Sequence, residues 1–301
     1  MRASFKHLLC AAFALAALHA HAALNIVACE PEWAALATEL GGDKVKASSA
    51  TTALQDPHHI EARPSLIARV RSADLLVCTG MELEVGWLPV LIQQSGSSRL
   101  APGSPAMFEA GRFITPIDVP NRVDRSDGDV HAAGNPHIQQ DPRNIARIAT
   151  ALSARLAQLD PANAAEYQQR LQSFSSRWSA AMQKWEQQAA PLKGLGVVAH
   201  HKNMGYLWSW LGLREVGTLE PKPGVEPSVG HLTELSNLLA RQPVKMVVRA
   251  AYQDPRASQW LSERAHVPAV VLPFTVGGND RAKDLFGLFD STVELLLAAA
   301  K

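Results

Sequence analysis

Six of the eight histidines that follow residue 22 lie in three short loops and not on helix faces. The loops are Asp56–Glu61, which holds His58 and His59, then His131–His137, and finally Ala199–His201. Neutral imidazole is the commonest metal ligand in proteins and suits zinc, copper and nickel. A lone histidine is more often a surface or core residue, but three histidine loops near strand ends could converge on one crevice. The pattern therefore indicates a transition-metal site.

The spacing of these histidines excludes several kinds of zinc protein. Neither H-E-x-x-H nor C-x-x-C occurs, so the sequence predicts no zinc finger and no metalloprotease helix. The candidate ligands are spread over most of the chain, so the fold and not a short motif must assemble the site. His201 directly follows a predicted strand and His58 lies shortly after one, at the edge where parallel sheets bind ligands.

Short apolar runs alternate with amphipathic segments, which predicts parallel sheets covered by helices. In the first half the predicted strands and helices, in order, are Leu24–Ala28, Pro31–Leu40, Val45–Ala47, Pro64–Arg71, Leu75–Cys78 and Leu83–Gln93. In the second half they are Gly196–Ala199, Met204–Leu211, Leu213–Thr218, Val229–Leu239, Val244–Val248, Ala257–Ala265, Ala269–Leu272 and a last helix to Ala300. Residues 101–136 are rich in Pro, Gly and Asp, which predicts an irregular exposed stretch.

One long helix is predicted between the halves, with Asp160 as its cap and Pro161 at its first position, before Pro191 ends it. Apolar residues recur along it every three or four positions, which a coiled-coil dimer or a helix laid across two lobes would both explain. We favour the second. The predicted fold class is α/β, with two parallel-sheet lobes joined by one long rigid helix. The boundaries are 1–22 for a signal peptide, 23–158 for the first lobe, 159–190 for the helix and 191–301 for the second lobe.

The first residues have the features of a secretory signal. Arg2 and Lys6 precede an apolar stretch from Leu8 to Leu18, and Ala20-His21-Ala22 suits a signal peptidase, so cleavage is expected after Ala22. The apolar stretch is too short for a membrane helix, and no second one follows. The sequence thus predicts a soluble protein of the periplasm. Export leaves Cys29 and Cys78, which are either bonded or two buried thiols, and the compartment favours the bond.

Composition argues against nucleic acid as a partner. The chain has 29 Lys and Arg against 28 Asp and Glu, and loss of Arg2 and Lys6 leaves 27 against 28. Binding to nucleic acid requires a concentrated basic surface, which this balance does not provide. With 47% hydrophobic residues the chain can bury one large core or two smaller ones.

Three segments resemble motifs of one family. Asp56–Glu61 (DPHHIE), Asn135–Pro142 (NPHIQQDP) and His201–Tyr206 (HKNMGY) are similar to the D-P-H-x-x-E, P-H-x-W-x-D-P and H-D-A-F-G-Y segments of the cluster A-I metal-binding proteins of ABC uptake systems. The resemblance covers the whole chain after residue 22. Leu272–Gly278 (LPFTVGG) and Asp284–Asp290 (DLFGLFD) look most like the zinc branch of that family, the ZnuA- and AztC-like proteins.

The resemblance implies a ligand set of His58, His137, His201 and a carboxylate from the loop after the last strand. Asp280 is the only carboxylate of the loop 273–281, and the two glycines at 277 and 278 would let that loop turn toward the metal. The alternatives are that Asp280 caps the last helix or that Asp284 is the ligand. The chain departs from the family where the tryptophan usual after the second ligand is absent at Ile138–Gln140, and where the long His-rich loop is reduced to Asp124, Asp127, Asp129 and His131.

Lys202 and Asn203 also replace the usual Asp-Ala after the third histidine, and we expect Lys202 to point to solvent. Three imidazoles and one carboxylate suit tetrahedral Zn²⁺, whereas manganese relatives use two histidines and two carboxylates. The expected function is capture of Zn²⁺, as a transported ligand, by a monomeric solute-binding protein that delivers it to an ABC permease in the inner membrane. Whether a periplasmic zinc metallochaperone loads it stays open. The alternatives are a manganese-binding relative, a surface adhesin of the same fold, or a secreted zinc hydrolase with Glu61 as its general base.

Overall fold

A computed structural model describes residues 22–301, and the predicted signal peptide lies outside these residues except for its last one. The elements alternate as the sequence predicts. In chain order they are β1 (Leu24–Ala28), α1 (Pro31–Gly41), β2 (Val45–Ser49), α2 (Pro64–Arg71), β3 (Leu75–Cys78), α3 (Leu88–Ser95), β4 (Met107–Glu109), α4 (Pro142–Leu159), α5 (Ala164–Ala189), β5 (Gly196–Ala199), α6 (Gly205–Leu211), β6 (Arg214–Thr218), α7 (Val229–Leu239), β7 (Met246–Ala250), α8 (Pro255–Ala265), β8 (Ala269–Leu272) and α9 (Leu285–Ala299).

Each lobe is built on a parallel four-stranded sheet, and the two sheets have the same topology. The strand order is β2-β1-β3-β4 in the first lobe and β6-β5-β7-β8 in the second. The central strands β1, β3, β5 and β7 are almost wholly buried because helices cover both faces. The predicted class of two α/β lobes is confirmed. The loops that follow β2 and β5 bring His58 and His201 together, with ring centroids 5.8 Å apart.

A disulfide joins Cys29 to Cys78, with the two Cα atoms 4.7 Å apart. The sheet register explains the pairing, since Ala28 lies opposite Val77 and the cysteines are the next residues on the two neighbouring strands. The bond therefore links the two chain segments at the points where they leave β1 and β3. The bonded alternative is confirmed.

The helix α5 provides the packing between the lobes. Its aromatic residues Tyr167, Phe174, Trp178 and Trp185 are buried, and α5 contacts α1 and α4 of the first lobe as well as α9 of the second. The same apolar cluster continues from the first sheet through α5 into the second sheet. The apolar stripe thus faces the interior of this chain, which explains the three-and-four spacing without a coiled-coil partner.

Several boundaries differ from the predictions for identifiable reasons. Helix α3 begins at Leu88 and not at Leu83, because Gly80, Met81 and Glu82 all adopt positive φ and residues 81–87 form turns. Helix α4 was not predicted, and a short strand, β4, lies inside the stretch expected to be irregular. Asp160 does not cap α5; its carboxylate accepts hydrogen bonds from Tyr167 Oη at 2.7 Å and Asn163 Nδ2 at 2.6 Å.

The division of the chain at residues 158 and 190 stays a prediction. Among residues 22–301, every helix falls short of the length and apolar character needed to cross a membrane.

Candidate metal centre

Three of the four predicted ligands lie together in the crevice. His58 follows β2, His201 follows β5, and His137 lies in the segment that precedes α4. The ring centroids are 5.3 Å apart for His58 and His137, 5.8 Å for His58 and His201, and 5.7 Å for His137 and His201. One nitrogen from each ring lies within 4.8 Å of the other two. A tetrahedral zinc ion needs about 3.3 Å between ligand nitrogens at a Zn–N distance near 2.0 Å, so a small contraction would close the shell.

Two of these histidines are oriented by carboxylates. The Nδ1 atom of His58 lies 2.7 Å from an Asp56 oxygen, and the Nδ1 atom of His201 lies 2.6 Å from Glu220 Oε2. A carboxylate on Nδ1 holds a proton there and leaves Nε2 free to bind a metal. Burial alone would raise the pKa of Asp56, but the hydrogen bonds from His58 lower that pKa below its usual range. His58 and His201 are therefore arranged as Nε2 ligands.

His137 is held differently. Its backbone N–H donates to Asn135 Oδ1 at 3.1 Å and its ring packs edge-on against Phe274 at 5.5 Å. Its Nδ1 atom is buried and has no hydrogen-bond partner within the described part of the chain. Burial, and then the neighbouring His58, lower the pKa of His137 well below its usual value, so this imidazole is neutral at physiological pH. A metal ion requires a neutral imidazole with a ring nitrogen that is free to coordinate.

A fourth histidine lies above the cluster. The His131 ring stacks on His58 with centroids 5.4 Å apart, and its Nε2 atom is buried without a partner among residues 22–301. Burial lowers the pKa of His131 to about 4. His131 lines a cavity of about 230 Å³ together with Asp129, His137 and His201. It does not belong to the close group of three nitrogens.

Asp280, the predicted fourth ligand, is not brought to this cluster. Its side chain is exposed, in a turn that Gly277 enters with a positive φ and that Asn279 closes by accepting two backbone N–H groups. Asp284 is also exposed and accepts the N–H of Gly287 at 2.7 Å as the cap of α9. The structure therefore places the cap role at Asp284, and leaves Asp280 without a role in the described contacts.

Other residues considered for the site lie outside it. His59 is exposed, and His200 is buried with its Nε2 atom 3.8 Å from Glu220 Oε1, outside the close group of three nitrogens. Lys202 is exposed, as expected. Glu61 is also exposed, and its carboxylate pairs with Arg63.

Sequence reasoning missed a second polar cluster, which is made of buried carboxylates. Glu30, Glu32 and Glu84 are at most 3% exposed, and none of them belongs to an ion pair within residues 22–301. Glu84 accepts the backbone N–H of Thr79 at 2.7 Å, and Glu32 accepts the hydroxyl of Thr275 from the other lobe. Burial raises the pKa of Glu32 and of Glu84 to about 7 and raises that of Glu30 as well. Glu30, two residues after the end of β1, was the available signal in the sequence.

Comparison with known proteins identifies the family of this chain. Residues 26–299 match the family described as the zinc-uptake complex component A, periplasmic. The chain is 24% identical over 241 residues to the high-affinity zinc uptake system protein ZnuA of Yersinia pestis, which covers 76% of this chain and 72% of that protein.

A second relative is the zinc-binding lipoprotein AdcA of Streptococcus pneumoniae, with 23% identity over 88% of this chain, which spans about half (53%) of that longer protein. A crystal structure of ZnuA superposes with a TM-score of 0.74 at 22% identity and covers 91% of this chain and 99% of the other. At that identity the superposition establishes the fold, and the family match over nearly the whole chain establishes the relationship. The chain therefore belongs to the ZnuA family of metal-binding receptors of ABC importers, whose members are solute-binding proteins and not enzymes.

Proposed function

We propose that this protein captures one Zn²⁺ ion at His58, His137 and His201 and delivers it to an ABC permease in the inner membrane. The observation that carries the proposal is the triangle of three buried imidazoles, with ring centroids 5.3 to 5.8 Å apart, at the crevice between the lobes. A shell of three nitrogens favours zinc over manganese, which prefers more oxygen ligands.

Metal analysis of the purified protein tests this proposal directly. We expect one zinc per chain after equilibration with equal Zn²⁺ and Mn²⁺, because the nitrogen-rich shell suits the softer ion. Preferential retention of manganese would contradict the proposal. Copper must be excluded from the buffers, since Cu²⁺ binds most nitrogen sites more tightly than Zn²⁺ does.

Replacement of single histidines identifies the ligands, and the chain offers matched neighbours as controls. His58→Ala and His201→Ala should weaken zinc binding by more than the roughly 10- to 100-fold typical for loss of a residue that only supports a ligand. His59→Ala and His200→Ala should have much smaller effects, as measured by competition with a chelator. If His59→Ala or His200→Ala abolishes zinc binding while the variant of the adjacent histidine, His58 or His201, binds zinc normally, the assignment of ligand and neighbour must be reversed. His137→Ala should behave like the first pair.

The fourth coordination position is assigned by a second series. The family resemblance proposes Asp280, although its side chain is exposed. The competitor is His131, whose unpartnered Nε2 atom lies in the ring stack over His58. Asp280→Ala, Asp284→Ala and His131→Ala should be compared in the same assay. If only the Asp280 variant loses affinity, the resemblance has identified the ligand correctly; if only the His131 variant does, the fourth ligand comes from above the cluster.

We also propose that the protein acts as a monomer, because the long apolar stripe of α5 is covered by α1, α4 and α9 of the same chain. Light scattering that gives twice the chain mass would contradict this.

Loading by a periplasmic zinc metallochaperone is compatible with the exposed position of Lys202, which lines the cavity beside His201. Transfer of zinc from a donor protein to this protein, at a rate above that of spontaneous zinc release by the donor, would be the kinetic evidence for such loading.

A further inference from the structure

Residues 116–135, here called the cover segment, lie across the histidine cluster and are held by both lobes. On the side of the first lobe, the N–H of Ala132 donates to Glu82 Oε2 at 2.6 Å. On the side of the second lobe, Lys222 Nζ donates to Ser126 O at 2.6 Å and the N–H of Asp129 donates to Pro223 O at 2.9 Å. The cover segment also carries His131 to its position over His58.

The contact between the cover segment and the loop after β6 is very close. A Cβ atom added to Gly128 would lie 2.1 Å from Pro223 O, and one added to Gly224 would lie 2.1 Å from a carboxylate oxygen of Asp129. Both glycines have positive φ. The two backbones therefore fit against each other only if residues 220–224 keep their present conformation.

Glu220 holds that conformation and also holds a predicted metal ligand. The same oxygen, Oε2, lies 2.6 Å from His201 Nδ1 and accepts the N–H of Gly224 at 2.8 Å. The side chain is only 13% exposed and its bond to His201 is partly buried, whereas its bond to the N–H of Gly224 lies at the surface. One carboxylate oxygen of Glu220 thus joins the ligand to the loop that holds the cover segment.

We propose that Glu220 is a positioning residue that couples metal binding at His201 to closure of the cover segment, an inference that rests on the proposed metal-binding function. A metal ion on Nε2 withdraws electron density from the ring, so the Nδ1 proton becomes a stronger hydrogen-bond donor. The Glu220 carboxylate is then held more firmly by His201. Because the same oxygen accepts the N–H of Gly224, the loop 220–224 is held more firmly against the cover segment. By reciprocity, a closed cover segment strengthens metal binding by the same factor.

The first lobe supplies a matched control. Asp56 lies 2.7 Å from His58 Nδ1 and also accepts the backbone N–H of His58 at 3.0 Å, so it supports a ligand in the same way. Among the described contacts, none joins Asp56 to the cover segment. Loss of Asp56 should therefore weaken zinc binding without uncoupling the cover segment, whereas loss of Glu220 should do both.

The experiment measures zinc affinity by chelator competition and hydrogen–deuterium exchange of the amides at 126–132, with and without saturating zinc. In the parent protein, zinc should slow that exchange by about 5- to 150-fold, the usual range for coupled sites. Glu220→Ala and Asp56→Ala should each bind zinc about 10- to 100-fold more weakly. At saturating zinc, Asp56→Ala should regain full protection and Glu220→Ala should not.

Glu220→Gln supplies the rescue, because its amide oxygen can accept both hydrogen bonds and should restore part of the protection. Full zinc-dependent protection in Glu220→Ala would overturn the proposal, as would equal loss of protection in Asp56→Ala. The outcome is separable from the proposed function. A parent that does not bind zinc fails the function itself, whereas a parent that binds zinc with no change in exchange fails only this coupling.

Discussion

Replacement of Glu32 by glutamine should remove a large part of the pH dependence of stability. Glu32 is buried with Glu30 and Glu84, and no cation pairs with any of the three within residues 22–301. Three ionised carboxylates buried away from water would repel one another and would lose their hydration, so protonation of the cluster is favoured. Burial accordingly raises the pKa of Glu32 from 4.5 to about 7.

The sign and size of the effect follow from linkage. Because the folded-state pKa lies above the unfolded-state value, the stabilisation from the bound proton is complete below pH 4.5 and is lost as the pH rises through about 7. A difference of about 2.5 pKa units corresponds to roughly 3 kcal/mol at 1.36 kcal/mol per unit. Glutamine keeps an oxygen that can accept the hydroxyl of Thr275 and carries no charge at any of these pH values. The variant should thus lie within about 1 kcal/mol of the parent at pH 5 and exceed it by up to roughly 3 kcal/mol at pH 8.5.

Urea denaturation of the metal-free protein, at steps from pH 5 to pH 8.5, measures this difference. Metal must be removed with a chelator, because zinc binding would add its own pH-dependent stabilisation. Glu263→Gln, at an exposed position on α8, is the matched control and should shift neither end of the profile. Parallel profiles for Glu32→Gln and the parent across this range would show that the cluster holds no proton, and the reasoning would fail.

Two further predictions concern the disulfide and the metal. Thiol titration of the denatured, unreduced protein should find no free sulfhydryl, and reduction of Cys29–Cys78 should cost about 4 kcal/mol for the loop of 49 residues that it closes; two free thiols would contradict the first part. Zinc should be retained on dialysis at pH 7 and lost at pH 4.5, because imidazole ligands with a reference pKa near 6.5 must be neutral to bind. Equal retention at both pH values would count against three histidine ligands.

Strand positions were predictable because each strand is a short apolar run between turn residues, and both sheets bury those runs on two faces. Helix limits were less predictable. The Leu83–Gln93 pattern is apolar enough for a helix. The positive φ angles at Gly80–Glu82 nevertheless begin a series of turns that continues to residue 87, so α3 starts only at Leu88. The Val244–Val248 prediction misses by two residues, since the strand that pairs with β8 begins at Met246.

The histidines of the candidate site could be predicted because residues after strand ends in a parallel sheet meet at one edge. Their carboxylate partners follow the same rule but were missed. Glu220 comes two residues after β6, the neighbour of the strand that leads to His201. The position of the Asp280 side chain could not be predicted in this way, because it depends on how the two glycines turn the loop, and glycine permits many conformations.

The site is divided between the lobes, although its histidines do not leave equivalent strands of the two sheets. His58 leaves the second strand of its lobe and His201 leaves the first strand of the other, and each is oriented by a carboxylate from its own lobe. His137 has no such partner within the described chain and is held by backbone and by packing on Phe274. Each lobe therefore orients one ligand independently, while the third ligand depends on how the lobes meet. Zinc affinity should consequently respond to changes at that junction, at Phe274 above all, even where no ligand is altered.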